Sequence, residues 1–187
     1  EYKGCLSEIK DITSSGIVQF YASVFGNEDY GGDIIERGAF RKTLKENSRN
    51  IRHFKHHNPS LMVGVIKEMK EDNYGLLVTS KMILDTQLGK ETYAEYRAMA
   101  DSEKSLDHSI GYQTIKYENE PTSQIRRLKE LKLMEVSTLT EWGMNPLAQT
   151  VSVKNLSELD FNALLVEQKC IDLLLKCSFS DAKLADL

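Results

Sequence analysis

The chain has 187 residues, 41% of them hydrophobic and 28% charged, with a formal net charge of −4. That balance describes a globular protein of one large domain, or of one domain with an appendage. It excludes the basic field of a nucleic-acid-binding protein, and no apolar run reaches the roughly 18 residues of a membrane span. Cys5, Cys170 and Cys177 are too few and too scattered for a disulfide framework, which points to a reducing compartment. No secretory signal is visible.

Two β-like runs open the chain, Cys5 to Ile12 and Gly16 to Phe25, separated by a turn-rich stretch at Thr13 to Gly16. The second is rich in β-branched and aromatic residues and reads as a core strand. Asn27 to Arg37 reads as a polar loop. From Gly38 a short helix is predicted, with Ala39, Phe40 and Leu44 at helical spacing and an end near Asn47. Ile51 to His57 reads as a strand, Asn58-Pro59-Ser60 as a turn by composition, and Leu61 to Met69 with Tyr74 to Leu84 as a hairpin. Thr86 to Ala100 is the clearest internal helix: Asp85 or Thr86 can cap it, and Leu88, Tyr96 and Met99 share a face. Ser105 to Tyr117, Gln124 to Lys132, Leu133 to Leu139 and Thr150 to Val153 read as strands, and Trp142 to Ala148 as a segment that leaves the sheet.

The pattern changes after Lys154. Ser157 with Asp160 resembles a helix start, and Leu156, Leu159, Ala163, Val166, Cys170, Leu173 and Cys177 alternate at spacings of three and four, over about three heptads. The domain division is therefore 1–154 and 155–187, the latter an amphipathic helical segment. Its apolar face suits packing on its own domain as well as docking on a partner or on a second copy of the chain, a homo-oligomer.

Three segments carry chemistry. Ser109 reads as a hydroxyl brought to the end of a β-run just before Gly111, Glu135 lies in a strand, and His53, His56 and His57 cluster near a strand end. A serine hydroxyl needs a base to take its proton, and the base needs a group that holds its tautomer. His108 adjoins Ser109, but in a strand it points to the opposite face. Spacing alone does not choose among the other three histidines. The competing chemistry is a metal site. His53 and His57 at helical spacing would offer two imidazoles, but Phe54-Lys55 lacks the glutamate of a zinc-protease helix and Asn58-Pro59 would end such a helix at once.

Several of these segments, taken together and in order, resemble the tailed-phage prohead maturation proteases, which are related to the herpesvirus assemblin-type serine proteases. The resemblance rests on Gly16 to Phe25 followed by Asp33 to Phe40, on His57 to Gly64, on Tyr74 to Val78, on Ser109-Ile110-Gly111-Tyr112, on Leu133 to Ser137, and on Asn145 to Ala148. It spans roughly residues 10 to 154. Two positions depart from the family pattern: Asp107-His108 precede the serine where small or apolar residues are usual, and Asn58 stands where an Asp is common.

The resemblance implies an α+β fold, an antiparallel β-barrel surrounded by helices, with the C-terminal helix added. It implies a serine endopeptidase needing no cofactor, with Ser109 as nucleophile, His57 as general base and Glu135 as the carboxylate that orients the imidazole. By alternation Ser137 is a rival hydroxyl on the face of Glu135, though the resemblance treats it as structural, and Arg126 and Arg127 are oxyanion candidates by charge alone. The implied substrates are the phage scaffolding protein, or the scaffolding segment of the major capsid protein, and the protease itself, inside the procapsid in the host cytoplasm. A catalytically inactive scaffold of the same fold and a metal-dependent hydrolase are the alternatives.

Overall fold

The computed structural model of the chain describes residues 16–121, 123 and 125–154, the last three by backbone alone. The strand read at Cys5 to Ile12, all three cysteines and the C-terminal helix lie outside the described residues. In chain order the elements are β1 (Ile17–Val24), β2 (Asp33–Ile35), α1 (Arg41–Asn47) with a 3₁₀ turn at Ser48–Asn50, β3 (Arg52–Lys55), β4 (Asn58–Glu71), β5 (Gly75–Met82), α2 (Gln87–Asp101), β6 (Asp107–Asn119), β7 (Arg126–Leu139) and β8 (Thr150–Lys154). The fold is mixed α+β, mostly strands. Among the described residues no helix is long and apolar enough to cross a membrane.

The eight strands of the described residues belong to one sheet, ordered β2-β7-β3-β4-β5-β1-β8, with β6 also on β7. β7 is the hub. One edge pairs antiparallel with β6; the other pairs parallel with β2 near Arg126 and with β3 near Glu135. The pairings do not close into the expected antiparallel barrel. Two of them are parallel, and among the described residues no strand ladder joins β6 to β1 or to β8, which lies on the free edge of β1; the end of the loop after β7 stands there instead. There His108 N–H donates to the Ala148 carbonyl, Tyr21 N–H donates to the Gln149 carbonyl, and a single bridge joins Asp107 to Gln149. A two-residue contact is too short to act as the missing strand ladder.

Apolar residues of β1, β4, β5 and β7, with Phe40, Tyr93 and Tyr96, make a continuous core in which Val18, Phe20, Leu76, Val78 and Leu133 are fully buried. Helix α2 keeps its predicted face: Tyr96 is buried, and Leu88 and Met99 pack on the core. Thr86 caps it, its hydroxyl accepting from Gly89 N–H at 3.1 Å.

Three expectations change. The polar loop at 27–37 contains β2, which three buried residues dock on β7. The two runs read between Gln124 and Leu139 form one strand, Arg126–Leu139. Asn58-Pro59-Ser60 is not the turn; those residues begin β4. The reversal is made by His56 and His57, both left-handed at φ 54° and 56°, between the pair Lys55–Asn58. A two-residue hairpin loop with positive φ at both central positions usually carries Asn-Gly, so a His-His pair gives no compositional signal. Pro59 is accommodated because the register shifts between Lys55–Asn58 and Phe54–Met62, leaving no regular ladder there to break.

One irregularity in β7 matters for function. Gly111 pairs with Glu135, but Tyr112 pairs with Leu133, so Met134 is an extra residue in a bulge. Before the bulge Leu131 and Leu133 face the core; after it Val136 does. The half-exposed Met134 absorbs the change, and Glu135 and Ser137 come to the opposite face. Without it, strict alternation would continue from Leu131 and Leu133 to a core-facing Glu135.

Candidate active site

The four histidines separate cleanly by environment. His53 is fully buried, its ring held between Ser80 Oγ at 2.9 Å and Thr138 Oγ1 at 2.7 Å. Burial pushes its pKa down to about 3, so it is neutral at ordinary pH. His108 is fully buried too. It stacks on Phe20 at 4.0 Å between ring centroids, and its Nε2 lies 2.7 Å from the Tyr96 hydroxyl. Burial again holds it well below the ordinary imidazole range. His56 sits in the turn with Nε2 3.1 Å from Thr140 Oγ1.

His57 is different. Its Nδ1–H donates to Glu135 Oε1 at 2.6 Å, and its side chain is 42% exposed. The hydrogen bond to Glu135 raises its pKa; partial burial opposes this, and the charges of Glu135 and Glu141 reinforce it. With Nδ1–H committed to the carboxylate, Nε2 is the nitrogen left to accept a proton. The bound tautomer is the one that a serine hydrolase base requires.

Glu135 is buried, and both its oxygens are used: Oε1 by His57, Oε2 by the Ser137 hydroxyl at 2.6 Å. Its nearest wall is Gly111. A Cβ at that position would collide with the carboxylate Oε1, so the glycine makes room for the acid. Gly111 and Ser109 are two residues apart on β6 and share a face, while His108 and Ile110 face the core. The Ser-x-Gly spacing thus sets a hydroxyl and a gap side by side against β7, with Ser109 opposite Ser137 and Gly111 opposite Glu135. Ser109 is 8% exposed. Among the described residues no hydrogen bond joins its hydroxyl to the His57 ring. The structure therefore brings His57 and Glu135 into contact and sets Ser109 on the strand facing them.

The two departures before the serine have structural uses. Asp107 accepts a hydrogen bond from Gly143 N–H at 3.0 Å and pins the loop after β7. His108 belongs to the core. Arg126 pairs through two nitrogens with Asp33, to which Tyr112 also donates, and Arg127 pairs with Glu120. Both guanidiniums are thus held by carboxylates rather than offered to an oxyanion. The helical spacing that would aim two imidazoles at one metal does not form, because His53 is in β3 and His57 in the turn. Among the described residues no cluster of three or more His, Cys, Asp or Glu could hold a metal ion.

Residues 6–160 match the family model described as caudovirus prohead serine protease. The chain belongs to that family. The prohead protease of Enterobacteria phage HK97 is 32% identical over 127 residues, which cover 66% of this chain and 55% of that protein. The chain therefore spans about half the length of that relative. The structure of the capsid assembly protease of bacteriophage T4 matches with a TM-score of 0.51, over 67% of this chain and 82% of that one, at 8% identity. That likeness shows a shared fold, reached with almost no sequence in common.

Proposed function

We propose that the chain is a serine endopeptidase of phage procapsid maturation, with Ser109 as nucleophile, His57 as general base and Glu135 as the orienting carboxylate. The observation that carries this is the 2.6 Å bond from His57 Nδ1 to Glu135, made at a half-exposed imidazole whose Nε2 has no hydrogen-bond partner among the described residues, on the face that Ser109 shares. In the reaction, Nε2 takes the Ser109 proton as Oγ attacks the peptide carbonyl. The imidazolium is stabilised by Glu135 and returns the proton to the leaving amine; water then hydrolyses the acyl-enzyme by the same route. Backbone N–H groups beside Ser109 hold the oxyanion, since Arg126 and Arg127 are engaged elsewhere.

The substrates on this reading are the scaffolding protein or the scaffolding segment of the major capsid protein, and the chain itself, inside the procapsid in the host cytoplasm. Family membership supports this, as does the fold shared with the capsid assembly protease of bacteriophage T4. On this reading the catalytic domain extends to Lys154; the helical segment expected at 155–187 lies outside the described residues. Intact-mass measurement after treatment with a fluorophosphonate probe tests the nucleophile. One adduct on the native chain and none on Ser109→Ala is expected. A folded native chain that stays unmodified, alone and co-expressed with scaffold and capsid proteins that stay uncut, would overturn the protease reading in favour of an inactive scaffold.

A further inference from the structure

Ser137 is fully buried in β7. Its Oγ donates to Glu135 Oε2 at 2.6 Å and accepts from the His57 backbone N–H at 3.1 Å. A hydroxyl has one proton, and this one is committed to the carboxylate, so Ser137 is no rival nucleophile. The bonds close a ring: His57 backbone to Ser137, Ser137 to Glu135, Glu135 back to the His57 imidazole.

Two features call for such a ring. His56 and His57 both hold a left-handed backbone, which residues with side chains adopt reluctantly, so the turn needs anchoring from outside. Adjacent β7 residues supply it: the Thr138 carbonyl accepts from His56 N–H at 3.1 Å, and Ser137 Oγ accepts from His57 N–H. A glutamate also has three side-chain torsions, and one hydrogen bond at Oε1 leaves its carboxylate free to swing.

We propose that Ser137 is a positioning residue, whose hydroxyl locks the Glu135 carboxylate and the His57 backbone into one unit so that Nδ1–H stays on Oε1 and Nε2 stays turned towards Ser109. The inference rests on the reading of His57 as base and Glu135 as its orienting acid. A residue that only held the fold would change the melting temperature and leave the imidazole alone.

The test separates the two. In the full chain carrying Ser109→Ala, the His57 ring is titrated by NMR with Ser137 present and as Ser137→Ala. The charged and titratable groups around that ring are Glu135 from β7, Glu141 just beyond it and His56 beside it in the turn. With Ser137 the ring titrates above the ordinary imidazole value, and with alanine it moves down towards it. A ring whose titration is unchanged, or moves up, overturns the proposal. With Ser109 intact, the rate of fluorophosphonate labelling falls roughly 10- to 100-fold in Ser137→Ala; an equal rate overturns it as well. Should the alanine chain not fold, Ser137→Cys, close in volume and a weaker donor, carries both measurements with the same expected directions. If the native chain does not label, alone or co-expressed with scaffold and capsid proteins that stay uncut, the protease reading fails, while the titration still decides the role of Ser137.

Discussion

The paired strands β6 and β7 carry polar clusters on both faces, built from nearly the same residue types. On the core side, Ser80, His53, Thr138, Tyr96 and His108 form one hydrogen-bonded chain. On the other, Ser109, His57, Glu135 and Ser137 lie together. Neighbours in sequence divide between them: His108 from Ser109, Thr138 from Ser137. The core cluster has no carboxylate and no access to water, so its imidazoles are held neutral and serve as polar packing. The outer cluster has one carboxylate at the right nitrogen of a half-exposed ring, so its imidazole is held basic. Residue type is common to both; a single acid and partial exposure make the difference.

The comparison can be broken from either side. Glu135→Gln, which keeps the shape and removes the charge, is expected to lower the labelling rate of Ser109 roughly 10³- to 10⁴-fold, because an amide donor at Nδ1 selects the wrong tautomer. Gly111→Ala is expected to cost about 10²-fold in the same rate by displacing the carboxylate, with the fold kept; an unaffected rate would mean that the close approach of Gly111 is irrelevant. On the core side, Tyr96→Phe removes the hydroxyl between Thr138 and His108. It is expected to destabilise the chain by about 1–3 kcal/mol in urea unfolding while Ser109 still labels.

Acid sharpens the contrast further. His53 and His108 are neutral when folded but titrate near the ordinary value of 6.5 when unfolded, so unfolding takes up protons below that pH. Stability should therefore fall by up to about 1.4 kcal/mol per pH unit for each ring between pH 6.5 and 5, and a flat profile there would refute the assignment. His57 has the opposite sign. Its raised pKa contributes stability that is fully present below 6.5 and lost as pH rises through the folded value. The smallest effect is kinetic: labelling should rise with pH along a limb whose midpoint lies above 6.5, and a midpoint below it would mean that Glu135 does not govern the base.

Much of this was legible in the residues. A glycine-bounded apolar run marked β1, alternation on either side of a polar turn marked the β4–β5 hairpin, and helical spacing behind a capping Asp85 or Thr86 marked α2. The candidate site divides differently. Alternation alone put His108 behind Ser109 and grouped Ser137 with Glu135. No spacing rule could choose among His53, His56 and His57, because the choice depends on which ring meets a carboxylate brought in parallel by β7, some 78 residues away in sequence. The turn was placed two residues late, since Asn-Pro is a compositional signal and a left-handed His-His pair is held by tertiary hydrogen bonds instead. β2 and the open sheet were hidden for a similar reason: both are settled by what docks on β7.

The bulge at Met134 makes the number of residues, rather than their identity, the vulnerable quantity in this strand. Substitutions at a half-exposed methionine should be absorbed easily, whereas losing that one residue would invert every side chain on one side of it. A deletion would turn Glu135 and Ser137 inwards and Val136 and Thr138 outwards, dismantling both clusters at once. In lineages of this chain, the segment from Leu133 to Glu135 should tolerate varied chemistry at its middle position and admit no insertion or deletion.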